Sequence, residues 1–339
     1  MRNTVSVGVI GLGKGRSHLK GYHQHPAARI RAICDIDEER LEQALEGYPD
    51  ARGFTDYHQM LALKELDAVS VALPNNLHAP VSIEAMENGK HVLCEKPMAM
   101  NAAEAENMKN CAERTGKTLM LNFNMRFMQT AATIRPLTIS RQLGTIYHVT
   151  TTYTRRNGYP NPGSWFGQKS KSGGGPLIDL GVHRLDLALW LMDYPRPIAV
   201  TGKTYNHLAR KKFKSGEFDC EDFSVAMIRF ENGATLYLAA SWDGHQQEQT
   251  EQTMQMYGTE GSIFERDGQI MLCTNNGEEP EVKKLPLKEP SETSQEHFVN
   301  SILNDTPPGP SAEHGVIVMK ILDAIYESAA TDHEVVIGD

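Results

Sequence analysis

One stretch near the start of the chain limits the folds open to it more than any other. Residues 4–26 read TVSVGVIGLGKGRSHLKGYHQHP. Thr4 to Ile10 is a short apolar run rich in Val; it breaks at Gly11, Gly13 and Gly15 and resumes as a helical pattern near Ser17 or His18. Strand, glycine turn, helix is the context a phosphate-cradling turn requires. Gly11 makes the sharp turn and Gly13 lets a pyrophosphate approach the backbone. The helix that follows offers its first N–H groups and the positive end of its dipole. Gly11, Gly13, Lys14, Gly15 and Arg16 form the candidate phosphate-binding set. The spacing departs from G-x-G-x-x-G, because Arg16 stands at the third glycine and Gly15 comes one residue early. Arg16 is expected either to point outward or to hold the helix farther from the strand. A glycine-rich turn with no ligand is the competing reading. His18, His23 and His25 read as a surface helix and its end.

The continuation favours the ligand. Arg29 to Cys34 reads as a second strand, and it ends at Asp35. The distance from Gly13 to Asp35 is close to the interval at which an acidic residue reaches the ribose hydroxyls of a bound adenosine. A carboxylate there suits a free 2′-hydroxyl and repels a 2′-phosphate, and Ile36 and Asp37 bring no cation to welcome one. NAD is therefore the expected cofactor, with NADP the alternative. Asp35 reads equally as the cap of a helix over 38–46, a task that Asp37 is also able to fill.

Strand and helix patterns alternate onward to residue 123. Leu66 to Leu73, Lys90 to Cys94 and Thr118 to Phe123 are strands; 57–63, 79–89 and 101–115 are helices. This alternation predicts an α/β Rossmann-type parallel sheet, whose ligands sit at the carboxyl ends of the strands. Gly11, Asp35, Leu73-Pro74-Asn75, Glu95-Lys96 and Asn124 all fall at such ends. Past residue 140 the pattern changes. Gly144 to Arg155, Ile198 to Tyr205, Phe223 to Phe230, Ala234 to Trp242 and three shorter runs up to Cys273 read as strands. Glu231-Asn232-Gly233 is a hairpin signal. Residues 274–292 are polar and read as surface loops, and 294–303 and 313–330 as closing helices. The expectation is a dinucleotide-binding domain over 1–123. A substrate-binding and oligomerisation α+β domain over 124–339 follows, with a large, mostly antiparallel open sheet. The helix near 313–330 is expected to pack back on the first domain.

Composition narrows the partners. A formal charge of −9 argues against a nucleic-acid surface. No apolar run approaches a membrane span, and the N-terminus lacks a signal peptide's core. Five scattered cysteines without C-x-x-C read as thiols of a reducing compartment, so the expected setting is cytoplasmic.

Three places carry a family likeness. The first is the opening turn with Asp35. The second is the pair P-N-N-L-H (Pro74 to His78) and H-V-L-C-E-K-P (His91 to Pro97). The third is G-G-G-P-L-I-D-L-G-V-H-R-L-D (Gly173 to Asp186), with N-M-R-F (Asn124 to Phe127) between them. Over nearly its full length the chain resembles the glucose-fructose oxidoreductase / inositol 2-dehydrogenase (Gfo/Idh/MocA) family. The resemblance implies an NAD(P)-dependent oxidoreductase. It would move a hydride between nicotinamide C4 and a secondary alcohol of a sugar, cyclitol or related polyol, and assemble as a homodimer or homotetramer. It also implies that Lys96 and His183 handle the alcohol proton while Asp179 orients the hydroxyl or the imidazole.

Spacing alone establishes that Asp179 and His183, four apart, share a helix face. They read equally as a helix salt bridge; with no further ligand at suitable spacing, no metal is expected. Glu95 reads as a cofactor contact or, less favoured, a partner of Lys96. Asn75 and His78 read as ribose or pyrophosphate contacts or as loop caps. Arg126 reads as a substrate contact or a structural ion pair. Tyr153 and Trp165 offer aromatic faces to a polyhydroxylated ring, Trp165 reading equally as core. Two other functions stay open: an NAD-assisted glycoside hydrolase of the same fold, and a non-catalytic nucleotide-binding sensor.

Overall fold

Six short apolar segments of the first half pair side by side in the computed structural model, which describes residues 3–214, 217–277 and 279–338. They are β1 (Val5–Ile10), β2 (Ala28–Cys34), β3 (Arg52–Phe54), β4 (Ala68–Val71), β5 (His91–Cys94) and β6 (Leu119–Leu121). Their order is β3-β2-β1-β4-β5-β6, and every pairing is parallel. The central strands carry Val and Ile on both faces because helical crossovers cover both sides of such a sheet. β3 escapes a pattern reading: three residues long, two of them exposed, it carries no apolar run. The crossover helices start where capping chemistry dictates. The Asp37 carboxylate accepts from Arg40 N ahead of Glu38–Gly47, and the Asn101 side chain accepts from Glu104 N ahead of Ala102–Thr115.

The chain divides into two compact units, Met1–Phe123 with Glu292–Val316, and Asn124–Ser291 with Ile317–Asp339. The later segment joins the first unit through specific contacts. The helix Ser294–Asn304 starts with a Thr293/Glu296 capping box. Gln295 occupies the space that a Cβ on Gly21 would need, and Leu121 N donates to Pro310 O.

The second unit is built on nine strands. They are β7 (Ile146–Arg155), β8 (Pro197–Tyr205), β9 (Phe223–Phe230), β10 (Thr235–Ser241), β11 (Thr250–Gly258), β12 (Ser262–Arg266), β13 (Gln269–Asn276), β14 (Glu279–Leu285) and β15 (Val335–Val336). The order is β14-β13-β12-β11-β7-β10-β9-β8-β15. All pairs are antiparallel except β7 with β10. Register separates the two faces. Val200, Ile228, Leu236, Val149, Met256, Ile263 and Leu272 lie opposite one another in turn, and all are buried. One residue along, Thr201, Met227, Tyr237, Thr150, Gln255, Phe264 and Met271 form the other face, and none of them is buried. The hairpin expected at Glu231–Gly233 joins β9 to β10, with Gly233 at φ +82°.

The loops expected over 274–292 are corrected: Glu279–Leu285 is the edge strand β14, paired with β13. Its charged, exposed residues suit an edge that must not recruit another strand. Among the described residues no helix is long and apolar enough to cross a membrane.

Candidate active site

The glycine turn works through three different contacts. Gly11 sits at φ +90°, and a Cβ there would lie 2.4 Å from the Ala72 carbonyl oxygen, so only glycine fits against the end of β4. Around Gly13 a Cβ would meet nothing within 4 Å, which leaves its backbone open to a ligand. At Gly15 a Cβ would lie 2.7 Å from Val9 Cγ1. Gly15 therefore takes the close helix–strand contact that the usual spacing assigns one residue later. Arg16 is exposed, and its Nη2 donates to Gln43 Oε1 at 3.3 Å. Lys14 precedes the helix Gly15–Gln24 as its N-cap and is exposed.

Asp35 stands just past β2, 8% exposed. Its Oδ2 accepts from Leu12 N at 2.6 Å and its Oδ1 from Asp37 N at 2.9 Å. It ties the second strand end to the glycine turn, while Asp37 takes the capping task. Each carboxylate oxygen keeps a second lone pair for a ribose hydroxyl. Open backbone at Gly13 and an acceptor at Asp35 fit a dinucleotide at this end of the sheet.

The turn after β4 holds Leu73, Pro74 and Asn75, with Asn75 buried. His78 is corrected as a cofactor contact. Its ring is 1% exposed, with Nδ1 2.6 Å from Pro97 O and Nε2 2.8 Å from Leu73 O. It staples the loop after β4 to the loop after β5, and burial pulls its pKa down despite those carbonyls.

Glu95 likewise bonds within the protein. Its Oε1 accepts from Asn122 Nδ2 at 2.7 Å and lies 2.9 Å from His18 Nε2, and its Oε2 accepts from the Lys96 N–H at 3.2 Å. These contacts favour the partner reading, while Oε2, with one N–H on it, keeps a lone pair for a cofactor. Burial pushes the Glu95 pKa up, but the His18 and Asn122 hydrogen bonds and the charge of Lys96 outweigh that and hold it at about 2. A depressed carboxylate stabilises the fold above its unfolded value and loses that contribution as pH falls through the folded value. Urea melts of wild type and Glu95→Gln should therefore differ most above pH 4.5 and converge toward pH 2.

His18 and His25 are not surface residues. His18 is 0% exposed, its Nδ1 3.0 Å from Ser70 Oγ, and Tyr22 OH lies 2.7 Å from the same oxygen. His25 is buried beside Asn300, and His23 alone stays exposed. The signal was helical spacing: Gly15, His18, Leu19 and Tyr22 form the buried stripe. Lys96 follows Glu95 half-buried, ahead of a cis peptide bond to Pro97.

In the second unit, the glycine loop is a packing device. A Cβ on Gly174 would lie 1.9 Å from Tyr326 OH, and one on Gly175 2.1 Å from Glu221 O. Buried Glu221 accepts from Tyr326 OH at 2.9 Å and from Leu177 N at 3.2 Å. The chain then makes one wide π-helical turn, Leu177–Gly181, before the α-helix Val182–Leu191. Asp179 lies on the wide turn and His183 in the first turn of the helix. From Gly174 to Leu189 these two are the residues not buried. Asp179 Oδ2 accepts from Trp242 Nε1 at 3.0 Å. Spacing gave no hint of Trp242, 63 residues away.

Arg126 is corrected to the ion-pair reading. Its Nε and Nη2 bond Asp186 Oδ2 and Oδ1 at 2.9 and 2.6 Å, and Nη2 also donates to Tyr194 OH at 2.5 Å. Tyr153 is half-buried under the Arg155 guanidinium, 5.4 Å from its ring centre. Trp165 is half-buried and stacks on Phe166 with centroids 3.8 Å apart, so it is not a core residue.

Comparison with known proteins bears on all of this. Residues 5–123 match the family described as an oxidoreductase family with an NAD-binding Rossmann fold, and residues 131–264 match the GFO/IDH/MocA C-terminal domain. The chain is 31% identical to the D-glucoside 3-dehydrogenase of Escherichia coli K12 over 336 residues, covering 96% of this chain and 95% of that protein. It is 24% identical to the myo-inositol 2-dehydrogenase of Thermotoga maritima over 325 residues, 92% of each. The solved structure of levoglucosan dehydrogenase in complex with NADH and L-sorbose superposes with a TM-score of 0.89 at 25% identity, covering 99% of this chain and 100% of that one.

Proposed function

The chain belongs to the GFO/IDH/MocA oxidoreductase family, and from that premise we propose that it oxidises a ring secondary alcohol of a sugar or cyclitol with NAD. Residues 1–123 would hold the dinucleotide, and the second domain the substrate. Gly11, Gly13, Lys14, Gly15, Arg16, Asp35 and the Leu73–Asn75 turn are the residues proposed to hold the dinucleotide. When bound, the nicotinamide supplies the hydride acceptor at C4. The chain's own side chains deal with the oxygen. His183 takes the hydroxyl proton and returns it in the reverse direction. Lys96 hydrogen-bonds the same oxygen and stabilises the developing alkoxide. Asp179, oriented by the Trp242 N–H, aligns the hydroxyl or the imidazole. Tyr153 and Trp165 are the proposed aromatic walls for the substrate ring.

The observation that carries this reading is a selective exposure. In a stretch otherwise buried from Gly174 to Leu189, the one carboxylate and the one imidazole that chemistry needs are left half-open. The similarity of the whole chain to named sugar and polyol dehydrogenases supports it. A screen of methyl glucosides, cyclitols and pentoses with both cofactors, read by NADH or NADPH absorbance, tests it. Turnover of at least one is expected. Silence across the panel with NADH still bound would favour a sensor.

Cofactor choice rests on Asp35. NADH is expected to bind at least about tenfold more tightly than NADPH, ~1.4 kcal/mol, and Asp35→Ser to narrow the gap. Equal or reversed affinities by fluorescence titration would overturn the Asp35 argument. A homodimer or homotetramer through the open sheet face belongs to the same proposal, and light scattering measures it.

A further inference from the structure

We propose that His18 is a positioning residue, which fixes the backbone that carries Lys96 by holding the Glu95 carboxylate in place. The inference rests on the reading that Lys96 touches the substrate oxygen. Four elements meet in this contact. His18 and Tyr22 come from the helix after the glycine turn, Ser70 from β4, Glu95 from just past β5 and Asn122 from just past β6. His18 and Ser70 are 0% exposed, and Glu95 and Asn122 are 9% and 6% exposed.

One hydrogen-bond order uses both hydroxyls and a ring N–H. Tyr22 O–H donates to Ser70 Oγ, Ser70 O–H to His18 Nδ1, and His18 Nε2–H to Glu95 Oε1. The Asn122 amide must present Nδ2 to Glu95, because its oxygen would face a carboxylate. Held at Oε1 by these two donors, Glu95 folds back so that Oε2 accepts from the N–H of Lys96. The peptide from which Lys96 departs is thereby locked to the helix that follows the glycine turn. A misplacement of about 1 Å at a reacting group costs on the order of 100-fold in rate, so the lock matters to turnover without touching substrate.

The test uses the full-length enzyme, NAD and the panel alcohol that wild type turns over fastest. His18→Leu removes both ring contacts. His18→Gln keeps a donor where Nε2 stood. Glu95→Gln removes the charge. Expected for His18→Leu is a loss in kcat of roughly 30- to 100-fold, with the substrate KM and the NADH Kd within about threefold of wild type. His18→Gln should recover to within about fivefold, and His18→Leu with Glu95→Gln should be no worse than either alone. A folded His18→Leu with kcat within about threefold of wild type overturns the inference. So does a variant in which NADH affinity and melting temperature fall together with kcat and His18→Gln restores nothing, because that is the mark of a merely structural network. Should His18→Leu fail to fold, near-normal kcat in Glu95→Gln overturns it equally. Lys96→Ala run in the same assay separates the two levels: an active Lys96→Ala removes the parent reading, whereas an inactive one beside a fully active His18→Leu removes only the role of His18. A wild type silent on the whole panel removes both.

Discussion

Replacing Lys96 or His183 by alanine is expected to leave NADH binding within about threefold of wild type while kcat/KM falls by roughly 10²- to 10⁴-fold. The size follows from what each group supplies. A hydride leaves carbon as a proton leaves oxygen, and an alcohol oxygen is a poor leaving point for a proton at neutral pH. An imidazole placed to take the proton shortens that gap, and an ammonium beside the oxygen lowers the energy of the alkoxide as it forms. Lys96→Arg is expected to rescue poorly, because a planar fork does not present the point charge of an ammonium. Near-normal turnover in either alanine variant, on an alcohol the wild type oxidises, would remove that residue from the mechanism.

The second large effect is on stability. Arg126→Met is expected to cost about 3–5 kcal/mol, because it leaves Asp186 charged and unpaired at 1% exposure. The wild-type pair is bidentate, and burial of its guanidinium is outweighed by the charge of Asp186 and the hydrogen bonds to Asp186 and Tyr194, which raise the Arg126 pKa. Arg126→Met with Asp186→Leu should regain most of the loss, since two apolar side chains leave no charge uncompensated. Chemical denaturation of the three variants measures this. A substrate KM raised tenfold or more in the stable double variant would return Arg126 to the substrate-binding set.

Much of the fold was legible because its signals are local. Alternating strand and helix patterns, Asp37 and Asn101 caps and the Asn232-Gly233 turn each act within a few residues of themselves. β14 was not legible, because Glu279–Leu285 carries four charges and none of the apolar alternation of a half-buried strand. The site divides in the same way. The glycine turn is local and could be read, whereas the wide turn that carries Asp179 ahead of the helix of His183 left no mark in the spacing. The fates of Glu95, His78 and Arg126 depend on partners 77, 19 and 60 residues away, and no spacing rule reports those. In each case a polar side chain beside a strand end or a helix looked available to a ligand. Instead it satisfies a buried donor or acceptor of the protein, as burial demands.

The most direct measurement follows a label. The panel alcohol that wild type oxidises is prepared with deuterium on the carbon that becomes the carbonyl, and the reduced cofactor is analysed by mass spectrometry. The expected result is one deuterium in each NADH formed, with none lost to water. Substrate consumed with no deuterium in the cofactor, or with the label appearing in solvent, would contradict direct hydride transfer between a ring alcohol and the nicotinamide.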